Sequence, residues 1–181
     1  MLRNFMGMYA ACRGEYVAIL DGDDYWTSPD KLRLQVALLD QQRDLAICFH
    51  RVEIVTDGAP HLTTLHPPAG ALIKRSAEDL LRGDCIVAGA TMLRRLFNEL
   101  PDWISEMAMP DWPTFVLHAL HGGIGYIDQP MSVYRQHSSS DWTSRTRLQK
   151  LPRKIAARRL MAEKLGAPYD AILTPVIERL V

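Results

Sequence analysis

The chain has 181 residues and equal numbers of basic and acidic side chains, 21 of each, so its formal net charge is zero. With 48% hydrophobic and 23% charged residues it has the composition of a soluble globular protein, and its length suits one domain with a single core. Zero net charge argues against a nucleic-acid-binding protein that works through bulk positive charge. Three widely spaced cysteines without a CxxC pair argue against a disulfide framework or a structural zinc site. Because no apolar run approaches the roughly 18–20 residues of a membrane span, we expect a cytoplasmic protein.

The first elements are a strand and a helix. The apolar run 16–20 is followed directly by the acidic sequence DGDD, which predicts a strand buried on both faces. Ser-Pro-Asp at residues 28–30 is typical of a helix start, and the helix is expected to continue to about residue 42. Leu32, Val36 and Leu39 have the spacing of one buried helix face.

Strands and helices alternate through the remaining chain. Residues 45–55 are rich in β-branched and apolar side chains, which predicts a second strand. Ser76 and Asp79 form a capping-box pattern that opens a short helix through residue 81. Further strands are predicted at 86–93, 125–127 and 131–137, and further helices at 94–100 and 112–120. From Thr146 onward the pattern is helical, and Gly166 and Pro168 divide it into two helices. The mixture predicts the α/β class with a sheet core.

The sequence Asp21-Gly22-Asp23-Asp24 is the strongest chemical signal in the chain. Carboxylates one residue apart on a turn can converge on a hard cation such as Mg²⁺ or Mn²⁺, which can also bridge to phosphate oxygens. Ligands of α/β sheets bind at the carboxyl ends of strands, where this turn lies. By itself, however, such a tetrapeptide is more often a simple turn after a strand.

The surrounding sequence decides between these interpretations. RGEYVAILDGDDYWTSPDKL, residues 13–32, resembles the stretch around the metal-binding DXD element of family 2 glycosyltransferases of the GT-A fold. CFH at 48–50, MPDWP at 109–113 and VYRQH at 133–137 resemble later elements of that family in the expected order. The resemblance covers about residues 4–144. It implies a partial GT-A fold, a mixed sheet flanked by helices, over residues 1–144, followed by a basic helical tail at 145–181.

The resemblance also implies an activity and assigns residues to the donor. Family members transfer a sugar, with inversion, from a nucleotide-sugar to a hydroxyl of a glycan or lipid-linked acceptor, and bacterial members suggest cell-surface glycan synthesis. Asp21 and Asp23 would hold Mn²⁺ or Mg²⁺ against the diphosphate, and Asp24 would help to shape the loop. Arg135 would neutralise phosphate charge, and His137 would be a further metal or diphosphate ligand. A histidine at a strand end with an exposed arginine beside it fits the last two residues equally well.

Asp111 would be the general base that takes a proton from the acceptor hydroxyl. It lies at a predicted helix N-terminus, where the helix dipole favours the ionised carboxylate that a base needs. The residue types at 111–113 also suit a plain N-cap aspartate without any catalytic role.

The tail is strongly basic, with eight Lys or Arg and a single Glu in residues 145–164. It could lie on an anionic membrane surface, with Ile155, Leu160, Met161 and Leu165 as its apolar side. The same composition more often indicates a solvated helix that packs on the domain through those residues.

Family 2 domains normally begin with a nucleotide-binding half that precedes the DXD element, whereas here that element starts at residue 21. We therefore expect an exposed sheet edge, self-association, and weak or no transferase activity of the chain alone. One alternative is a non-catalytic remnant that acts as a binding module. Another is a haloacid-dehalogenase-like phosphatase, although Asp24 stands where that family has Thr or Val.

Overall fold

One six-stranded mixed sheet forms the centre of the computed structural model, which describes residues 2–71, 73, 76–83, 86–140 and 142–180. The strands are β1 (Tyr16–Ala18), β2 (Tyr25–Trp26), β3 (Leu45–Thr56), β4 (Thr64–His66), β5 (Met92–Arg94) and β6 (Gly123–Gln136). Their order is β1-β5-β3-β6-β2, and β4 pairs with the second half of β3. Because β1 has only β5 as a neighbour among the described strands, it forms one end of the sheet.

The long central strands β3 and β6 are parallel, with Leu45 opposite Gly123 and Thr56 opposite Gln136. All other pairs are antiparallel. The first six residues of β3 are buried without alternation, because helices cover both faces of the sheet at that point. This close pairing leaves no room for side chains at the start of β6, where a Cβ on Gly122 would lie 2.6 Å from the carbonyl oxygen of Asp44.

In the described part of the chain, six α-helices surround the sheet: α1 (Leu2–Ala11), α2 (Lys31–Gln41), α3 (Ala77–Arg82), α4 (Asp111–Ala119), α5 (Arg147–Leu165) and α6 (Tyr169–Glu178). The predicted capping box of Ser76 and Asp79 opens α3, and Thr146 and Gln149 form a second capping box at α5. No helix among the described residues is both long and apolar enough to cross a membrane.

The buried side chains form two clusters. A small one lies between α2 and the sheet and contains Leu39, Leu45, Cys48 and Met92. The larger one includes Leu80 and Leu81 of α3, together with Ala157 and Met161 of α5 and Leu173 of α6. The core is therefore continuous across the predicted boundary between residues 144 and 145. The expected α/β class, with a mixed sheet flanked by helices, is confirmed, and the architecture is consistent with a GT-A-like fold.

The predicted buried face of α2 is wrong at one of its three positions. Leu39 is buried and the half-buried Val36 packs against the same cluster, but Leu32 is exposed. The buried face carries Lys31 and Gln35 instead. The side-chain amide of Gln35 donates to the backbone carbonyls of Cys48 at 3.1 Å and Ala90 at 2.9 Å, and the Lys31 ammonium donates to Gln35 Oε1 at 2.8 Å. Gln35 is buried with its amide bonded to these two backbone carbonyls, and Lys31 is buried beside it with its ammonium bonded to Gln35. Hydrophobic periodicity cannot reveal such bonds between distant segments.

Three further elements differ from the predictions. Residues 94–100 are not helical, because Arg94 ends β5 and is anchored in the sheet by its donation to the carbonyls of Leu39 and Leu45. Residues 88–90 form a 3₁₀ turn, so the strand predicted at 86–93 begins only at Met92. The two strands predicted at 125–127 and 131–137 are one strand, because a register shift beside Pro130 lets β6 continue past the proline.

Candidate functional site

The acidic turn, residues 21–24, links β1 to β2, and the pairing of β2 with β6 places it beside the carboxyl end of β6. Tyr25 lies opposite Val133, so the VYRQH sequence runs along the turn. Oδ1 of Asp24 accepts a hydrogen bond of 2.9 Å from the backbone N–H of Arg135. Two segments more than 100 residues apart in the sequence therefore meet at one edge of the sheet.

Asp24 is turned into the protein rather than toward solvent. Its residue is buried, and its Oδ2 has no hydrogen-bond partner among the described residues. Burial raises the pKa of Asp24 to about 6, although the hydrogen bond from the Arg135 amide opposes this rise. Gly89 leaves the space that the carboxylate needs, since a Cβ on Gly89 would lie 3.4 Å from Asp24 Oδ2. Trp26, two residues after Asp24, donates its indole N–H to the Gly89 carbonyl at 3.1 Å and holds the two segments together.

Asp21 and Asp23 remain accessible, Asp21 exposed and Asp23 half-buried. Desolvation by the surrounding protein raises the pKa of Asp21 to about 6, and the negative charges of Asp111 and Asp23 raise it further. Asp111 opens α4, so the start of this helix and the acidic turn share one electrostatic environment. Desolvation also raises the pKa of Asp111, while the backbone N–H groups of Asp111 and Trp112 lower it.

The first turn of α4 has a firm anchor. The indole N–H of Trp112 donates to the Leu80 carbonyl of α3 at 3.0 Å, and the Thr114 hydroxyl donates to the Pro110 carbonyl at 2.7 Å. Both side chains are buried. The position of Asp111 is thus fixed by its neighbours rather than by its own side chain.

His137 follows β6 and faces the acidic turn. Its Nε2 lies 2.9 Å from Oδ2 of Asp23, and its Nδ1 lies 2.9 Å from the hydroxyl of Ser139. An Nε2–H that donates to the carboxylate leaves Nδ1 as an acceptor for the hydroxyl, so both contacts fit the neutral imidazole. The side chain thereby orients Asp23.

The guanidinium of Arg135 points to a different partner. It donates to both carboxylate oxygens of Asp57, at 2.9 and 3.2 Å, in a pair that is about half exposed. Asp57 begins the turn after β3, and nothing in the sequence except the Asp-Gly turn itself pointed to this contact. The backbone N–H of Arg135 therefore contacts the acidic turn, whereas its charged guanidinium pairs with Asp57.

The oxygen-rich donor set at this edge suits a hard divalent cation. Among the described residues, no three His, Cys, Asp or Glu side chains converge closely enough to form a complete ligand set. The carboxylates of Asp21 and Asp23 are nevertheless accessible, and their mutual repulsion is a cost that a bound cation would relieve. The residues present fit a cation that takes its remaining ligands from a substrate or from water.

Comparison with known proteins gives two findings. The family model described as Glycosyl transferase family 2 matches residues 3–101. Proteins of Mycobacterium bovis and of two strains of Mycobacterium tuberculosis, each named as uncharacterized, are 38% identical to the chain over 143 residues. The matched region is 78% of this chain but only 40% of each relative.

Proposed function

Since the chain belongs to glycosyltransferase family 2, we infer that it contributes to the transfer of a sugar from a nucleotide-sugar to an acceptor hydroxyl. The proposed reaction inverts the anomeric centre, depends on Mn²⁺ or Mg²⁺, and serves the synthesis of a cell-surface glycan on the cytoplasmic side. The observation that carries this proposal is the contact between the acidic turn and the end of β6, where Nε2 of His137 lies 2.9 Å from Oδ2 of Asp23 and the Arg135 amide donates to Asp24.

The donor would bind at the acidic turn. Asp21 and Asp23 would hold the cation against the diphosphate, and His137 would offer a nitrogen ligand beside Asp23 once its Nε2 gives up the hydrogen bond. The cation supplies positive charge that offsets the negative charge developing on the leaving nucleoside diphosphate. Asp24 would shape the turn through its bond to the Arg135 amide rather than contact the cation.

Asp111 would act as the general base. The acceptor oxygen attacks the anomeric carbon, the bond from that carbon to the diphosphate oxygen breaks, and the hydroxyl proton passes to the Asp111 carboxylate. A pKa raised by desolvation makes this carboxylate a stronger base than a solvated aspartate, provided that it is ionised. The backbone N–H groups of Asp111 and Trp112 favour that ionised form.

Arg135 would bind phosphate by exchanging its partner. In the structure its guanidinium is held by Asp57 in a half-exposed pair, which contributes little stability and can be replaced by a more negative group. A diphosphate at the acidic turn would compete with Asp57 for this side chain. Asp57 would then keep Arg135 oriented while no donor is bound.

A thermal-shift panel with UDP, GDP and dTDP, each with and without Mn²⁺, tests the donor site. A nucleotide at about 100 times its dissociation constant stabilises the fold by about 2.7 kcal/mol, a shift of several degrees. We expect a shift that needs both Mn²⁺ and one nucleotide and that disappears in Asp23→Asn. Asp44→Asn, a change at an exposed carboxylate outside the site, is the matched control and should keep the shift.

Equal Mn²⁺-dependent shifts in Asp23→Asn and the unmodified chain would contradict the assignment of the acidic turn. Release of the nucleoside diphosphate from the donor separates a transferase from a binding module, because a module would give the thermal shift without release. Asp111→Asn is expected to keep the shift and lose the release.

A further inference from the structure

Helix α5 has two apolar faces, and only one of them packs against the core. Ala157 and Met161 are buried, whereas Leu148 is 80% exposed. Residues at spacings of three and four along a helix lie on the same face. We call the second face the outer stripe; it consists of Leu148, Leu151, Pro152, Ile155 and Ala156. The stripe lines an open cleft of about 680 Å³ together with Leu180 and with Arg159, which is the one charged residue of this lining.

A basic flank adjoins the outer stripe. A second cleft of about 330 Å³ is lined by Arg147, Lys150, Lys154 and Arg179, and it shares Leu151 and Leu180 with the first cleft. The two clefts therefore form one continuous surface, apolar on one side and basic on the other. The ammonium groups of Lys150 and Lys154 lie 5.5 and 5.9 Å from the centre of the Trp142 ring, which keeps both on the basic side.

Charge is distributed unevenly over the chain. Helix α5 carries seven Lys or Arg and a single Glu, while the chain as a whole is neutral. The remaining residues therefore carry a matching excess of acidic side chains. A basic surface on an otherwise acidic protein orients it toward a negatively charged partner.

We propose that the outer stripe and its basic flank dock on the surface of a lipid bilayer that contains anionic headgroups. Leu148, Leu151 and Ile155 would enter the boundary between headgroups and acyl chains, and the basic flank would face the headgroup phosphates. The long stems of the lysine and arginine side chains can lie along the apolar boundary while their charges reach the headgroups. A helix that is only solvated on its outer side would carry polar residues where α5 carries this stripe.

A second copy of the chain is a poorer occupant of this surface. A two-fold symmetric contact brings the basic flanks of both copies to the same interface, so positive charge would be concentrated there without an opposite charge to offset it. An anionic bilayer has the opposite charge and accommodates the apolar stripe as well. The proposal does not depend on sugar transfer, and its test needs no nucleotide-sugar.

Co-sedimentation of the chain with lipid vesicles tests the proposal. We expect retention on vesicles of phosphatidylcholine with 30% phosphatidylglycerol, weaker retention in high salt, and little on phosphatidylcholine alone, on the order of tenfold less. Leu148→Glu and the double variant Arg147→Glu/Lys150→Glu should each lower the partition coefficient about tenfold or more. Leu62→Glu is the matched control for the leucine, because Leu62 is 60% exposed outside this surface, and Arg33→Glu is the control for charge reversal.

The proposal is overturned if the unmodified chain is not retained on the anionic vesicles, or if Leu62→Glu and Leu148→Glu reduce retention equally. Sedimentation velocity without lipid addresses the second-copy alternative. A dimer that Leu148→Glu dissociates would overturn the proposal in favour of self-association. Circular dichroism of each variant shows that loss of retention is not loss of the fold.

Discussion

Nε2 of His137 lies 2.9 Å from Oδ2 of Asp23, although 114 residues separate them in the chain. The contact joins the end of β6 to the acidic turn, and Ser139 fixes the other ring nitrogen. The acidic turn thus has a partner outside its own residues, and the two segments are held together.

The first prediction concerns this contact. His137→Ala is expected to weaken Mn²⁺-dependent nucleotide binding about 10–100-fold, because Asp23 loses the group that orients it. Titration of nucleotide in the presence of Mn²⁺, followed by thermal shift, measures the change. His61→Ala, a change at an exposed histidine, should leave the affinity unaltered, and equal effects of the two variants would sink the prediction.

The second prediction concerns the repulsion within the acidic turn. The pKa of Asp21 is raised to about 6 in the folded protein, which favours the neutral acid. Above that pH the ionised carboxylate lowers the free energy of unfolding. Asp21→Asn should therefore raise the free energy of unfolding at pH 8 without metal, by less than about 1 kcal/mol because Asp21 is exposed. The advantage should shrink as the pH falls from about 6 toward 4.

Urea unfolding of both proteins at pH 8 and pH 4.5 measures this difference. Adding Mn²⁺ at pH 8 should reverse the order, since the cation stabilises the unmodified chain and has less to bind in the variant. Asp30→Asn changes an aspartate paired with Arg33 and should not show the same gain.

The third prediction concerns acid stability and the buried His118. The hydroxyl of Tyr9 lies 3.0 Å from Nε2 of His118, and the Nδ1–H of His118 donates to the Thr114 carbonyl at 2.7 Å. Burial lowers the pKa of His118 to about 4. As the pH falls, His118 is protonated in the unfolded chain at a higher pH than in the folded chain. The free energy of unfolding therefore decreases as the pH falls from about 6.5 to 4.

His118 contributes up to about 3 kcal/mol to that loss of stability. His118→Gln is expected to be less stable at pH 7.5 but to lose less stability on acidification. His61→Gln, a change at an exposed histidine, should keep the full pH dependence. If the unmodified chain and His118→Gln lose equal free energies of unfolding across this pH range, the prediction is wrong.

The fourth prediction concerns the buried Lys31, which is 1% exposed and lies 4.3 Å from the centre of the Trp26 ring. Desolvation lowers the pKa of Lys31 to about 8. Between pH 8 and 10.5 the unfolded chain holds a proton that the folded chain has lost, so this lysine makes stability rise with pH. Lys31→Met should remove that rise, up to about 3 kcal/mol. Unfolding curves at pH 7.5 and 9.5 measure this rise. Lys150→Met, at a lysine that is only half-buried, should keep the rise.

The fifth prediction compares two glycines. Gly122→Ala places a Cβ 2.6 Å from the Asp44 carbonyl and 2.9 Å from the Ala46 amide, and backbone atoms cannot yield easily. We expect a loss of about 1–3 kcal/mol. Gly7→Ala meets nothing within 4 Å in helix α1 and should gain about 0.5–1 kcal/mol from helix propensity. Thermal unfolding measures the stability of both variants relative to the unmodified chain. Stability changes of the same sign in the two variants would contradict this prediction.

Local signals in the sequence determined much of the fold and pointed to the acidic turn. The strand at 45–55, the capping box of Ser76 and the helix start at Thr146 were all predictable, because apolar runs and caps act within a few residues. The position of the acidic turn after a strand could be predicted for the same reason.

Only the tertiary structure decided which distant residues meet. The pairing of β2 with β6 brings His137 to Asp23, and the packing of α4 brings the charge of Asp111 to Asp21. Hydrophobic periodicity also did not predict the burial of Lys31 or the outward apolar face around Leu148. Strand order and helix packing depend on the free energy of the whole core, so no local periodicity encodes them.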